Sequence, residues 1–374
     1  MLAPMRLASY NVENLFSRPK VMAQATWNDG KTVLLQFSQL NRLLGKAKYT
    51  AADKAKIVEL LVALGLERSD NGPFVLLRRS RGSLLTRPKA GGLTITASGR
   101  GDWVGSLELE PEQIAERPIL NTARVISDAA PDVLAVVEAE DRPSLTMFND
   151  DILPRVGEHS FRHLMLIDGN DRRGIDVGLM TRDGYPIGAM RSHVDDHDGK
   201  HSPIFSRDCP EFTITTPSGA RFLLLINHLK SKGYGSKASS DRRRKQQAAR
   251  VAEIYRARRA EGIENIAVVG DLNDTPDSDP LSPLIDGTDL TEIASHPDFD
   301  DGGYPGTYGS CTARHKIDFI LLSPEMFARV QAGGINRKGM WPGVRPVKWD
   351  KLDEVRREAD VASDHALAWA DIDL

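Results

Sequence analysis

The sequence predicts an α/β fold in which helices pack over a sandwich of β-sheets. Short apolar, β-prone runs recur along its 374 residues, and helical patterns fall between them. Hydrophobic residues make up 40% of the chain and charged residues 27%, the balance of a protein that buries a sizeable core in water. Residues 17–115 interrupt the alternation and read differently.

Strands are expected at 5–11, 133–138, 161–167, 175–181, 211–216, 221–227, 265–270, 317–322 and 366–371, because each run has the length and apolar content of a strand buried on at least one face. Helices are expected at 118–130, 144–155 and 240–261. The last is rich in Ala, Arg, Gln and Glu and stops at Gly262. Within 17–115, helical patterns cover 32–44 and 51–64, the second with Thr50 as N-cap and Gly65 just past its end. A glycine-rich, strand-prone stretch follows. From Asn71 to Gly101 it has no Asp or Glu but carries Arg78, Arg79, Arg81, Arg87, Lys89 and Arg100. That is either a solvated face or an arm that grips phosphates. A second basic cluster, "DRRRKQQAARVAEIYRARR", lies on the 240–261 helix.

A net charge of −3 gives no global attraction to nucleic acid or anionic lipid, so such binding needs local patches. Cys209 and Cys311 make neither a disulfide framework nor a cysteine-rich zinc site, and they suit a reducing compartment. No signal peptide or membrane span is read, and the cytoplasm is the expected location.

The polar residues that end the apolar runs are informative. Asn11 ends the first strand, Glu138 the second, His228 follows "FLLLIN", and Asp271 and Asn273 follow "NIAVVG". Ser363-Asp364-His365 precedes the last strand. Side chains two apart on a strand face one way, so Asp271 and Asn273 are expected to share a spot. Glu138, Asp271, Asp364 and the amide oxygens of Asn11 and Asn273 are hard ligands that suit Mg²⁺ or Mn²⁺. His228 and His365 can handle protons near neutral pH, and Asp318 can hold the His365 ring. "SDH" must form a turn for Asp364 and His365 to converge. Together these residues form a kit for attack of water on phosphorus.

In order, "SYNVENLF", "PDVLAVVEAED", "RRGIDVGLM", "NHLKSKG", "VVGDLNDTPDS", "HKIDFILLS" and "SDHAL" resemble the motifs of the endonuclease/exonuclease/phosphatase superfamily, the DNase I-like fold. The resemblance implies a four-layered α/β sandwich, a single domain over 1–374 with 17–115 inserted after the first strand. It implies that Glu138, with Asn11 and Asp364, holds the metal, and that Asp271 positions or deprotonates the attacking water. Asn273 would hold the phosphate, His228 would contact a phosphate oxygen or assist the leaving group, and Asp318 would pair with His365. Asp271 and His365 are both candidates for the base. Arg173, Asp176 and Lys230 fall where substrate-side residues are expected, with Arg78, Arg79 and Arg81 as further phosphate contacts; for Asp176 a structural ion pair is equally expected. Val137 stands where many members carry Gln.

The expected reaction is Mg²⁺- or Mn²⁺-dependent hydrolysis of the DNA or RNA backbone, with little sequence preference and 5′-phosphate products. The basic helix and the acid-free stretch favour a nucleic-acid substrate. The alternatives are a phosphomonoesterase or a lipid or inositol-phosphate phosphodiesterase, and last a non-catalytic nucleic-acid-binding module. No protein partner and no membrane are implied. His193, His197 and His201 read as a surface loop, His159, His163 and His315 receive no role, and Trp27, Trp103, Trp341 and Trp349 read as packing or loop anchors.

Overall fold

The structure, a computed structural model, describes residues 3–15, 20–23, 27–89, 91–110, 116–157, 160–171, 173–199, 202–232 and 236–374. His159 and His201 lie outside the described residues. The chain divides into two compact units, one of Met1–Phe16 with Ala115–Leu374, the other of Ser17–Ile114.

The strands of the larger unit are β1 (Met5–Leu15), β2 (Val133–Ala139), β3 (His163–Leu166), β4 (Asp176–Thr181), β5 (Ile187–Arg191), β6 (Glu211–Thr215) and β7 (Arg221–His228). After them come β8 (Ile266–Asp271), β9 (Thr291–Glu292), β10 (Phe299–Asp300), β11 (Asp318–Leu322), β12 (Val330–Asn336) and β13 (Leu367–Ile372). They form a seven-stranded sheet, β10-β12-β13-β1-β2-β4-β3, and a six-stranded sheet, β9-β11-β8-β7-β6-β5. Helices α1 (Glu116–Ala129), α2 (Arg142–Met147) and α3 (Lys237–Ala260) complete the unit with shorter turns.

Strand alternation explains the layers. Val133, Ala135 and Val137 point between the sheets and meet Phe222, Leu224, Ile226, Ala267 and Val269. Leu134 and Val136 point outward onto Val125 and Ile126 of α1. On the other sheet, Leu223, Leu225 and Val268 point outward onto Ala248, Val251 and Tyr255 of α3. The order is helix, sheet, sheet, helix: the four-layered DNase I-like sandwich. Burial on both faces is why these strands read as unbroken apolar runs, each large side chain contributing about 1.5–3 kcal/mol.

The two central pairs, β1 with β2 and β7 with β8, are parallel. Parallel neighbours end at the same edge of a sheet. β1 runs on to Leu15 rather than ending at Asn11 as expected. It is the register that brings Asn11 level with Val137, next to Glu138, while His228 stands beside Asp271. Gly270 has φ of 127°, and a Cβ there would lie 1.9 Å from the Asn227 carbonyl oxygen, so the close approach of β7 and β8 needs glycine.

Four strands escape the sequence pattern, the two-residue β9 and β10 by their shortness and β5 and β12 by their composition. β5 is a largely exposed edge strand. In β12, Gly333 and Gly334 hide the β signal; a Cβ on Gly333 would come within 3.0 Å of the Phe299 ring. The helix expected at 144–155 is composite: α2, capped by Asp141, passes into a π turn at Phe148–Ile152 and a 3₁₀ turn at Leu153–Arg155. Pro154, which lacks an N–H, explains the change of winding.

The smaller unit has its own core, with Leu40, Ile57, Leu61, Leu77 and Trp103 buried together. Its helices are Trp27–Leu44 and Ala51–Ala63, and Thr50 forms a reciprocal capping box with Asp53. Strand Val75–Gly82 pairs with Trp103–Leu109 in a ribbon. The acid-free stretch is not a free basic arm. Arg78 pairs with Glu108 at 2.9 Å, and Arg79 and Arg87 pair with Asp70 at 2.7 and 2.8 Å, acids that lie just outside the stretch in sequence. Arg81 is exposed and has no ion pair among the described residues. No helix among the described residues is long and apolar enough to cross a membrane.

Candidate functional site

Asn11 is the organising residue. Its Oδ1 accepts the Glu13 backbone N–H at 3.0 Å, which turns Nδ2 toward Glu138 Oε1 (3.3 Å), Asp271 Oδ2 (3.2 Å) and His365 Nε2 (3.5 Å). In this arrangement the amide oxygen is bonded to backbone and the NH₂ group faces the acids. Glu138 has φ of 68° and Glu13 φ of 52°, left-handed conformations that cost free energy and are over-determined by the surrounding sheet.

Asp271 and Asp318 stand directly opposite each other on the antiparallel pair β8 and β11, and both are buried. Asp318 Oδ2 lies 2.9 Å from His365 Nδ1. His365 Nε2 then lies 4.0 Å from Asp271 and 3.8 Å from Asp364, whose side chain is 43% exposed. Residues 363–365 do form a bend. Ser363 Oγ donates to the Asn11 carbonyl at 2.8 Å and accepts the His365 N–H at 3.0 Å, tying the bend to β1. His228 Nε2 is 3.7 Å from both Glu138 and Asp271.

Burial and the neighbouring Asp318 push the Asp271 carboxyl up to about 7. Burial works against a charge on His365, yet Asp318, with Asp364 and Asp271, holds its imidazole well above the ordinary value. His228 goes the other way: burial first, then the positive charges of Arg207 and Arg173, push it well below the ordinary value. The site thus holds one imidazole that favours its charged form and one that favours its neutral form.

The donor set fits a divalent cation. Buried oxygens of Asp271 and Asp318 and a ring nitrogen of His365 lie within 4.8 Å of one another, with Glu138 and Asp364 adjoining through His228 and His365. Asp318 adds its repulsion to burial in pushing Asp271 up, and a cation would offset that repulsion.

The other expected residues divide. Asn273 has φ of 57°, so the strand alternation stops before it; its N–H bonds Asp271 Oδ1 at 2.8 Å, and its Nδ2 bonds the Leu229 carbonyl at 3.1 Å. Arg173 pairs with Asp171 at 2.6 Å. Asp176 is buried, accepts the Gly169 N–H at 2.8 Å, and is pushed up to about 7, chiefly by burial. Among the described residues it makes no ion pair. Burial, with Arg207 and Arg173 nearby, brings Lys230 down to about 8. Arg78, Arg79 and Arg81 belong to the smaller unit. The basic helix α3 is largely tied down rather than free: Arg244 pairs with Asp274, Arg250 with Asp196, Arg258 with Glu211 and Arg259 with Glu325.

Two residues went unread in the sequence. Arg207 is 3% exposed, and its Nε lies 3.3 Å from Asp171 with no hydrogen-bond partner. It sits within the electrostatic reach of Glu138 and Asp271. An arginine following an apolar stretch, "PIFSRDC", was the available signal. Tyr308 lies against His365, ring centres 4.8 Å apart, and is 36% exposed. His193, expected in a surface loop, is buried between Asp196 (2.9 Å) and Glu211 (2.7 Å).

No curated protein sequence matches the chain. Among solved structures, an endonuclease/exonuclease/phosphatase family protein from Bacteroides thetaiotaomicron is 17% identical, with a TM-score of 0.50 over 69% of this chain and 89% of that one. A mannosyl-6-phosphatase from the same organism has the same identity and TM-score, over 69% of this chain and 91% of that one. The catalytic domain of human nocturnin, with bound sulfate, is 16% identical, with a TM-score of 0.48 over 69% of this chain and 86% of that one. The profile of the Endonuclease/Exonuclease/phosphatase family matches residues 110–365. With that match over more than half its length, the chain belongs to the endonuclease/exonuclease/phosphatase family, whose members are hydrolases of phosphate esters.

Proposed function

We propose that the protein is a Mg²⁺- or Mn²⁺-dependent phosphodiesterase that hydrolyses the backbone of DNA or RNA, with little sequence preference, leaving 5′-phosphate ends. The observation that carries the reading is the convergence of Glu138, Asp271 and His365 on the single amide of Asn11. Glu138 and Asp364 would hold the cation, and Asn11 would fix the Glu138 and Asp271 carboxylates by donating to both. When bound, the cation supplies positive charge to the phosphoryl oxygens.

Asp271, raised to about 7, is suited to take the proton of the attacking water as its oxygen bonds to phosphorus. His365 favours its charged form, so it is suited to donate to a phosphoryl oxygen rather than to act as the base. Asp318 would hold that ring in place. Phosphorus releases the 3′ oxygen, and His228 would assist that departure or contact a phosphate oxygen. Asn273, Arg173, Lys230 and the buried Arg207 would contact phosphate oxygens, Arg207 through a planar fork that matches them.

The second reading is a phosphomonoesterase. It is favoured by the ion pairing of Arg78, Arg79 and most of the α3 arginines, which leaves fewer free cations to track a polymer backbone. One experiment separates the two. Plasmid DNA, single-stranded RNA, an inositol phosphate and a sugar 6-phosphate are incubated with the protein and Mg²⁺ or Mn²⁺, with EDTA as control. Metal-dependent nicking or shortening of nucleic acid supports the proposal. Release of inorganic phosphate with intact nucleic acid replaces it with the second reading, and no release from any substrate overturns both.

A further inference from the structure

Helix α3 carries two residues that are polar, wholly buried and one turn apart: Arg244 and Gln247, each 0% exposed. At i and i+3 they share a helix face, and that face points at the turns that follow β7 and β8. Arg244 Nε and Nη2 lie 2.9 and 2.8 Å from Asp274 Oδ2, Nη2 lies 2.7 Å from Asp241, and Nη1 donates to the Lys230 carbonyl. Gln247 accepts the Lys230 N–H at 2.8 Å and donates to the Ile204 carbonyl at 3.1 Å. Arg243 adds a bond to the Pro203 carbonyl.

These bonds reach three segments that each carry a site residue: 203–207 with Arg207, 228–230 with His228 and Lys230, and 271–274 with Asp271 and Asn273. The two turns are also stitched together, Leu229 N–H to the Asp271 carbonyl at 2.9 Å and Asn273 Nδ2 to the Leu229 carbonyl at 3.1 Å. Each turn therefore has one end set by its strand and the other set by α3. A buried arginine with two carboxylates at hydrogen-bond distance is a costly way merely to attach a helix, since apolar residues do that without desolvating a charge. The neighbouring Val251, Ala252 and Ala248 already do so.

We infer that Arg244 and Gln247 are positioning residues, a clamp on α3 that fixes where the site-bearing turns after β7 and β8 stand. The inference rests on the proposed phosphoesterase reading for its catalytic consequence, but the clamp itself is a statement about geometry. A displacement of about 1 Å at reacting groups costs on the order of 100-fold in rate.

Gln247→Leu and Arg244→Lys test it in the full chain. Hydrogen exchange of the peptides spanning 226–232 and 269–276 is compared with that of β2, alongside melting temperature and the Mn²⁺-dependent kcat and KM for bis(p-nitrophenyl) phosphate. Expected are exchange in the two turns that is faster by about tenfold or more with β2 unchanged, and a kcat lower by about 100-fold with KM changed less than about threefold. Arg244→Lys keeps the charge and loses the fork, so it should recover part of the rate relative to Arg244→Met. Turns as protected as in the unsubstituted protein overturn the clamp, as does an unchanged kcat in a protein that turns over the probe. If the unsubstituted protein does not hydrolyse the probe, the phosphodiesterase reading fails there, and the exchange measurement still decides the clamp.

Discussion

Asp318 holds His365 through a single buried contact, and that makes the pair a sensitive test of the proposed mechanism. Asp318 is 2% exposed, and its Oδ2 lies 2.9 Å from His365 Nδ1, so the contact is a dry, charge-assisted hydrogen bond. Such bonds contribute about 1.5–3 kcal/mol, against about 0.5–1.5 kcal/mol for neutral ones. Asp318→Asn preserves shape, removes the charge and lets the amide present N–H to the ring, which opposes the orientation that leaves Nε2–H facing Asp271 and Asp364. The loss of about 1.5 kcal/mol sets a floor of roughly tenfold on kcat/KM, and a reversed tautomer deepens it. His365→Ala alone should cost about 100-fold or more. The assay is a double-mutant cycle on metal-dependent phosphodiester hydrolysis. In the His365→Ala background, Asp318→Asn should cost less than about threefold, because the ring it held is gone. Losses that multiply across the two substitutions would refute the coupling and, with it, the role given to Asp318.

Glu138→Gln should abolish most turnover while leaving the protein folded, since it removes a charge from a group held at positive φ among other acids. Saturating Mn²⁺, at about 100 times Kd, should stabilise the unsubstituted protein by about 2.7 kcal/mol and the variant far less; equal melting shifts in both would remove Glu138 from the metal site. Away from the site, Glu211 is buried against Arg258 (2.6 Å) and His193 (2.7 Å). Burial opposes its charge, but these partners outweigh it and hold its carboxyl at about 2. Its folded value is below its unfolded value, so the stability it confers is present above pH of about 4.5 and drains away as pH falls toward 2. Glu211→Gln should lose about 3 kcal/mol at pH 7 by leaving Arg258 with Glu261 as its one carboxylate among the described residues, and should flatten stability between pH 5 and pH 3 in urea titrations. An unchanged acid limb would contradict that account.

How much of this was legible in the chain follows from range. The central strands could be read because both faces are buried, which leaves apolar runs that need no partner to be recognised. "SDH", "GDLND" and the ends of the first two strands marked Asp364, His365, Asp271 and Glu138, because a polar residue closing an apolar run is a local signal. What stayed hidden depended on partners elsewhere. Arg78 and Arg79 looked unopposed until Glu108 and Asp70 came alongside, and the arginines of α3 looked like a basic face until Asp274, Asp196 and Glu211 met them. The orientation of the Asn11 amide was set by the Glu13 backbone, and Arg207 drew meaning only from its burial without a hydrogen-bond partner at Nε.

The sequence by itself determined the class of fold and the chemical types that gather at one edge of it, because periodicity and residue type are written locally. Only the tertiary structure decided which charges are neutralised, which imidazole favours its proton, and which atoms of each side chain face the site. Those depend on desolvation and on contacts a few ångströms long between residues as far apart in the chain as Asn11 and His365.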